Sequence, residues 1–240
     1  CFTKNEPIFM NAVSEEYKDL DRYLKVLNRK REEESESAIF VPLVIDNKPI
    51  GILTVQSFSQ EAYKEQHLTI LQALASYISV ALENSRVYQE INSKNHQITN
   101  SIRYAETIQQ AVLPSEEKMN EALHEYFTIF KPKDIVSGDF YWFSHLADKI
   151  FLATVDCTGH GVPGAFMSMI GSALLNEIVN VEQITSPSEI LDRLDRDIRL
   201  SLKQDTTGNT DGMDILLCVL EPAQGFQTKL TFAGAKGHLY

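Results

Sequence analysis

No glycine or proline falls between residues 66 and 113, and Pro114 closes the run. An unbroken stretch of this length is most simply one helix, because glycine and proline are the residues that usually end one. At 1.5 Å per residue it would be about 70 Å long, more than a small domain can bury. The chain is therefore expected to be two folded regions joined by a rod. The apolar residues change phase along that rod. Leu68, Leu71, Leu74, Ile78, Ala81 and Leu82 share a face suited to packing on a domain. Farther on, Ile91, Ile98, Ala105 and Val112 share one heptad position and Val80, Val87 and Ile108 another, with Lys94 and Ser101 as polar interruptions. A rigid spacer would fit this pattern; a dimeric signalling coiled coil fits it better, and a linker between two domains favours parallel pairing.

The flanking regions differ in texture. Upstream, 37–45 and 50–57 are β-rich and separated by the polar tip Asp46-Asn47-Lys48-Pro49, which predicts an antiparallel hairpin. Within 11–36, Tyr17, Leu20, Tyr23, Leu24 and Leu27 predict a short amphipathic helix followed by a loop, and the charge run 29–34 reads as a solvated face. After Pro114, strands are expected at 127–131, 139–144, 149–155, 213–220 and 229–233, with a turn at 221–225 between the last two. Helices are expected at 162–181, opened by Pro163, and at 187–203, with Ile190, Leu191, Leu194, Ile198 and Leu202 buried.

Composition narrows the function. Of 240 residues 43% are hydrophobic and 23% charged, with a net charge of −11. The excess of acid is spread over the beginning, middle and end of the chain, so no nucleic-acid partner is expected. No run approaches the roughly 18 apolar residues of a membrane span. The first residues have neither a basic start nor an apolar core, so no signal peptide is expected, and the lack of an initial Met suggests a fragment. Cys1, Cys157 and Cys218 form no close pair, which argues against a disulfide framework or a cysteine zinc site and favours a reducing cytoplasm.

Two segments place an acidic residue in a glycine-containing turn beside a hydrophobic strand: Val136-Ser137-Gly138-Asp139-Phe140-Tyr141-Trp142-Phe143, and Ala153-Thr154-Val155-Asp156-Cys157-Thr158-Gly159-His160-Gly161-Val162-Pro163-Gly164. A carboxylate, turn carbonyls and an imidazole around one small volume would suit a hard cation such as Mg²⁺ or Mn²⁺. An aspartate in a turn also serves simply to cap backbone amides. A phosphate cradle at the following helix N-terminus is a further option, but Thr158-Gly159-His160-Gly161 lacks the lysine of a P-loop, and Asp156 would repel the anion.

These two segments, with K-P-K-D-I-V-S-G-D-F-Y-W-F and V-D-C-T-G-H-G-V-P-G-A-F-M-S-M-I-G as their full extent, resemble the SpoIIE-type bacterial branch of the metal-dependent type-2C protein serine/threonine phosphatases. Residues 104–114 resemble the helix leading into that domain, and Asp211-Gly212-Met213-Asp214-Ile215 and Phe232-Ala233-Gly234-Ala235 its later strands. The hairpin, followed by L-A-S-Y-I-S-V-A-L-E-N, resembles the C-terminal part of a GAF sensory domain. The resemblance implies an α+β chain: a partial GAF domain over 1–84, a coiled-coil linker helix over 85–113, and the larger, N-terminal part of a four-layer α-β-β-α phosphatase sandwich over 114–240. It implies two Mn²⁺ or Mg²⁺ ions on Asp139 and Asp156, with the Cys157 backbone carbonyl as a further ligand and Asp214 beside the metal cleft. His160 would protonate the leaving oxygen, and Asp211 is the less favoured member of its acidic pair. Two further metal-binding aspartates of the family have no counterpart in order here, so both domains are expected to be truncated and this chain to bind metal weakly. The implied substrate is a phosphoserine or phosphothreonine on a regulatory protein, in relatives often an anti-sigma-factor antagonist. The competing expectation is a non-catalytic dimeric adaptor that keeps the fold as a binding surface.

Overall fold

A computed structural model describes residues 1–13, 35–223 and 227–236. The helix expected around Tyr17 to Leu27 and the charge run 29–34 lie outside the described residues. The chain forms two compact units, Cys1–Asn95 and His96–Tyr240.

In the first unit, β1 (Ile8–Met10), β2 (Ser37–Ile45) and β3 (Lys48–Ser57) make an antiparallel sheet in that order. The expected hairpin is present, closed by only two residues. Asp46 and Asn47 both adopt positive φ (49° and 62°), the pair a tight hairpin turn needs if it is to follow the strand twist. Ile39, Val41 and Leu43 of β2 form the core with Leu71 and Ala75 of the long helix α1 (Glu65–Val112). Ser79 joins that row, accepting the Val44 N–H at 3.0 Å and donating to the Ala75 carbonyl at 2.8 Å. The buried face of α1 is narrower than expected: Leu74, Ala81 and Leu82 are exposed. The three-stranded sheet buries the i, i+4 row Leu71, Ala75 and Ser79, and Leu68 and Ile78 pack partly buried at its edge.

In the second unit the end of α1 is followed by α2 (Glu116–Ala122), capped by Ser115. A four-stranded antiparallel meander follows: β4 (Phe140–Leu146), β5 (Lys149–Cys157), β6 (Met213–Pro222) and β7 (Thr228–Ala235). Between β5 and β6 come α3 (Gly161–Asn176), which continues through a π-helical turn at Glu177–Val181, then α4 (Pro187–Ser201) and the short α5 (Gln204–Thr207). Register explains the core. Phe140, Val155 and Ile215 align across the sheet, as do Trp142, Ala153 and Leu217, and all six are buried. They pack under Met167 and Leu175 of α3 and Ile190, Leu194 and Ile198 of α4. The polar atoms on this face are paired: Trp142 Nε1 donates to Asn176 Oδ1 at 3.2 Å, and the Ser144 hydroxyl to Asn180 Oδ1 at 2.5 Å. Gly161–Val181 is long and apolar enough to cross a membrane, yet half of its apolar window is buried inside the fold, as in a core helix.

The other face of this sheet opens into a groove of about 1060 Å³, walled by Leu152, Leu216, Cys218 and Phe232 and by the segment 125–132. That segment corrects the expected strand at 127–131, which is irregular, with Phe127 and Ile129 85% and 75% exposed. A strand needs a ladder partner, and among the described residues none pairs with it.

Candidate active site

Strand alternation sends every second residue of β5 into the core and the others, Thr154 and Asp156, to the groove face. Asp156 is opposite Asp214 across the β5–β6 ladder. On the other side, Phe140 pairs with Val155, so Asp139, just before the start of β4, arrives beside Asp156. The two carboxyls are close enough to influence each other. Partial burial first, and the neighbouring Asp156 second, hold the Asp139 carboxyl above its ordinary range. Two neighbouring carboxylates short of positive charge are the kind of oxygen donor a hard divalent cation takes.

Glycines bring these strand ends and the start of α3 together. A Cβ on Gly138 would lie 2.7 Å from the Gly159 carbonyl oxygen, and one on Gly164 would lie 2.6 Å from the same atom. Gly159 and Gly161 have φ of +87° and +63°, so the turn that carries His160 uses backbone conformations side chains rarely adopt. His160 is the N-cap residue of α3 but makes no capping bond with its side chain. Its Nδ1 lies instead 2.9 Å from Asp134 Oδ2.

The other expected residues divide. Cys157 points into the core, where burial, followed by the charges of Asp139 and Asp156, pushes its thiol up to about 12; it has no thiolate chemistry at neutral pH. Its backbone oxygen faces Gly138, 3.3 Å from where a Cβ would stand there. Asp214 is on the site face and 3.3 Å from Lys236 Nζ. Asp211 is used by its own loop, accepting from Asn209 Nδ2 at 2.8 Å while its carbonyl accepts from Gln204 at 2.6 Å. Thr158 pins that loop to the site, its N–H and hydroxyl both donating to the Gly212 carbonyl, at 2.9 and 2.8 Å. Among the described residues no three acidic, histidine or cysteine side chains cluster closely enough to hold a metal by themselves.

Two residues of the site were not singled out from the sequence. Asp134 is one. Gln109 of α1 is the other: it is buried, donates to the Ser137 carbonyl at 2.6 Å and to Ser168 Oγ at 2.7 Å, and accepts from the Ser137 N–H at 3.0 Å. The only signal was a polar residue beside Ile108, and helix periodicity gives no means of knowing that a loop 28 residues away would need its amide.

Residues 1–83 match the model of the GAF domain, and residues 147–237 that of stage II sporulation protein E (SpoIIE). The second match contains Asp156, Cys157, His160 and Asp214; Asp139 precedes it. The chain is 27% identical over 187 residues to phosphoserine phosphatase RsbU of Bacillus subtilis (strain 168), an alignment covering 73% of this chain and 55% of that protein. It also resembles the solved SiaA-PP2C domain of Pseudomonas aeruginosa, with a TM-score of 0.53, 34% identity, and coverage of 61% of this chain and 56% of that one. The chain thus spans little more than half the length of either relative.

Proposed function

This chain joins a GAF domain to a SpoIIE-type phosphatase domain, and on that premise we propose that it is a signal-regulated protein serine/threonine phosphatase that hydrolyses a phosphoserine or phosphothreonine ester on a regulatory protein. The observation that carries the reading is the Asp139–Asp156 carboxyl pair, exposed on the groove face where β4 begins and β5 ends. Asp139 and Asp156, the Cys157 carbonyl and Asp214 would hold two Mn²⁺ or Mg²⁺ ions, which when bound supply an activated water and positive charge for the phosphoryl oxygens. The chain's own residues do the rest. Gly138 and Gly164 keep the two loops in contact, which holds Asp139 close to Asp156. The His160 imidazole, exposed at the mouth of the site, donates a proton to the departing serine or threonine oxygen. The buried Cys157 thiol takes no part, which accords with direct attack by water without a covalent phosphoenzyme.

The regulatory part of the reading rests on α1. Val80, Val87, Ile91, Ile98, Ile108 and Val112 are all exposed along it, an apolar seam suited to a parallel homodimer of linkers. Gln109 on the same helix holds Ser137, two residues from Asp139, so a change in helix packing reaches the carboxyl pair and alters metal occupancy. The proposed divisions are 1–84 for the sensor, 85–113 for the linker and 114–240 for the phosphatase. An anti-sigma-factor antagonist is the proposed partner, and the three free cysteines accord with a cytoplasmic setting.

The Lys236 ammonium beside Asp214, and the lack of a three-ligand cluster among the described residues, favour a second reading, a non-catalytic dimeric adaptor, and in either case weak metal binding. Calorimetric titration of the chain and its Asp156→Asn variant with Mn²⁺, alongside hydrolysis of a phosphoserine peptide, separates the two. Binding and turnover lost together in the variant support the enzyme. Absence of both in the unmodified chain supports the adaptor.

A further inference from the structure

The contact between His160 and Asp134 has no evident structural purpose. The two residues come from separate loops, and their side chains are 74% and 42% exposed, so an ion pair between them adds little to stability in water. Its geometry is nevertheless well supported. Gly138, four residues after Asp134, packs on the Gly159 carbonyl, which precedes His160, and Asp134 Oδ2 is 3.7 Å from where a Cβ on Gly161 would stand. The backbone thus delivers a carboxylate to one particular imidazole nitrogen, Nδ1, at 2.9 Å.

We propose that Asp134 is a positioning residue for His160, fixing which ring nitrogen carries the transferable proton to an alkoxide leaving group. The proposal rests on the phosphatase reading above and deepens it. Because the carboxylate accepts from Nδ1–H, the second proton of the imidazolium sits on Nε2, on the opposite edge of the ring. In the reaction, a water oxygen bonds to phosphorus as the P–Oγ bond breaks and its electron pair stays on Oγ. The Nε2 proton passes to Oγ to give the free serine or threonine. The proton lost by the water goes to solvent, and the neutral imidazole regains one from the same source. Asp134 remains ionised throughout. The pair therefore matters for esters of aliphatic alcohols, whose alkoxides need a proton to leave, and little for aryl esters, whose phenolates depart without one.

The test uses the full chain with Mn²⁺ supplied and compares a phosphoserine peptide with p-nitrophenyl phosphate. Asp134→Asn is expected to lose about tenfold or more of its kcat on the peptide relative to its loss on the aryl ester. In a His160→Gln background, Asp134→Asn is expected to add no further loss on the peptide. Equal losses on both substrates, or an additive loss in the double variant, overturn the positioning role and leave the phosphatase reading standing. If the unmodified chain hydrolyses neither substrate, the phosphatase reading falls and this proposal falls with it. A readout that needs no metal is ¹⁵N NMR of the histidines, with His160→Gln assigning the resonance. Neutral His160 is expected as the Nδ1–H tautomer in the unmodified chain and should shift toward Nε2–H in Asp134→Asn, with the other histidine signals unmoved as evidence of an intact fold. An Nε2–H tautomer in the unmodified chain would refute the proposal.

Discussion

At the scale of single residues, the site is built from two kinds of cost. One is steric: Gly164 leaves no room for a methyl group, since its Cβ would fall 2.6 Å from the Gly159 oxygen and 2.9 Å from the Gly138 Cα. Gly164→Ala is expected to destabilise the chain by about 1–3 kcal/mol through forced backbone shifts, and a urea titration followed by circular dichroism measures it. The other cost is electrostatic. A carboxyl whose titration is raised by folding, as Asp139's is by burial and by Asp156, contributes its full stability below the unfolded value of about 3.9 and loses it as pH rises through the raised value. At neutral pH the metal-free fold therefore carries an unfavourable pair. Asp139→Asn should raise the melting temperature of the metal-free chain at pH 7, by an amount that shrinks toward pH 4, while removing the rise that Mn²⁺ produces in the unmodified chain. Thermal melts at both pH values, with and without Mn²⁺, check both halves of this expectation.

At the scale of elements, the four-stranded sheet is tied across its far end by one side chain. Glu221 on β6 reaches Lys149 on β5 at 3.0 Å and Lys229 on β7 at 2.5 Å. The Lys229 hydrogen bond first, then that of Lys149, holds the Glu221 carboxyl below its ordinary range. A lowered carboxyl contributes stability above the unfolded value of about 4.3 and loses it as pH falls through the lowered one. The unmodified chain should thus exceed Glu221→Gln in stability at pH 7, with the difference vanishing in acid and falling with added salt. Denaturant midpoints at pH 7 and pH 3 measure this. The strands themselves were legible from β-rich runs between polar turns, and observed ends fall within a few residues of expected ones. The exception, 127–131, shows why propensity is insufficient: its apolar residues line a groove wall without forming a ladder.

At the scale of the whole molecule, the seam on α1 is the feature with the largest consequence. Ile91 and Ile98 are 53% and 59% exposed, seven residues apart on one stripe. If the linker pairs in parallel, Ile91→Asp together with Ile98→Asp should convert a dimer to a monomer at micromolar concentration, as sedimentation equilibrium would show. Ile98→Pro should go further and uncouple the sensor from the phosphatase, since a proline inside a helix costs about 3 kcal/mol and breaks its continuity. Activity and regulation both unchanged in that variant would reject the helix as the path of the signal.

The sequence alone determined the long helix, the hairpin, four further strands with two helices among them, and the turns of Asp139 and Asp156 as the centre of interest. These are local properties: periodicity, turn chemistry and glycines in acidic turns act over a few residues. What only the tertiary structure decided depends on distance in space. Register placed Asp214 opposite Asp156 and gave it Lys236 as a neighbour. The approach of two glycine loops gave His160 the carboxylate of Asp134. Folding of α1 beside the Ser137 loop turned a helical glutamine into a buried three-bond brace. None of these pairings has a sequence period, because each is a meeting of side chains whose separation along the chain is arbitrary and whose contact exists only once the core has packed.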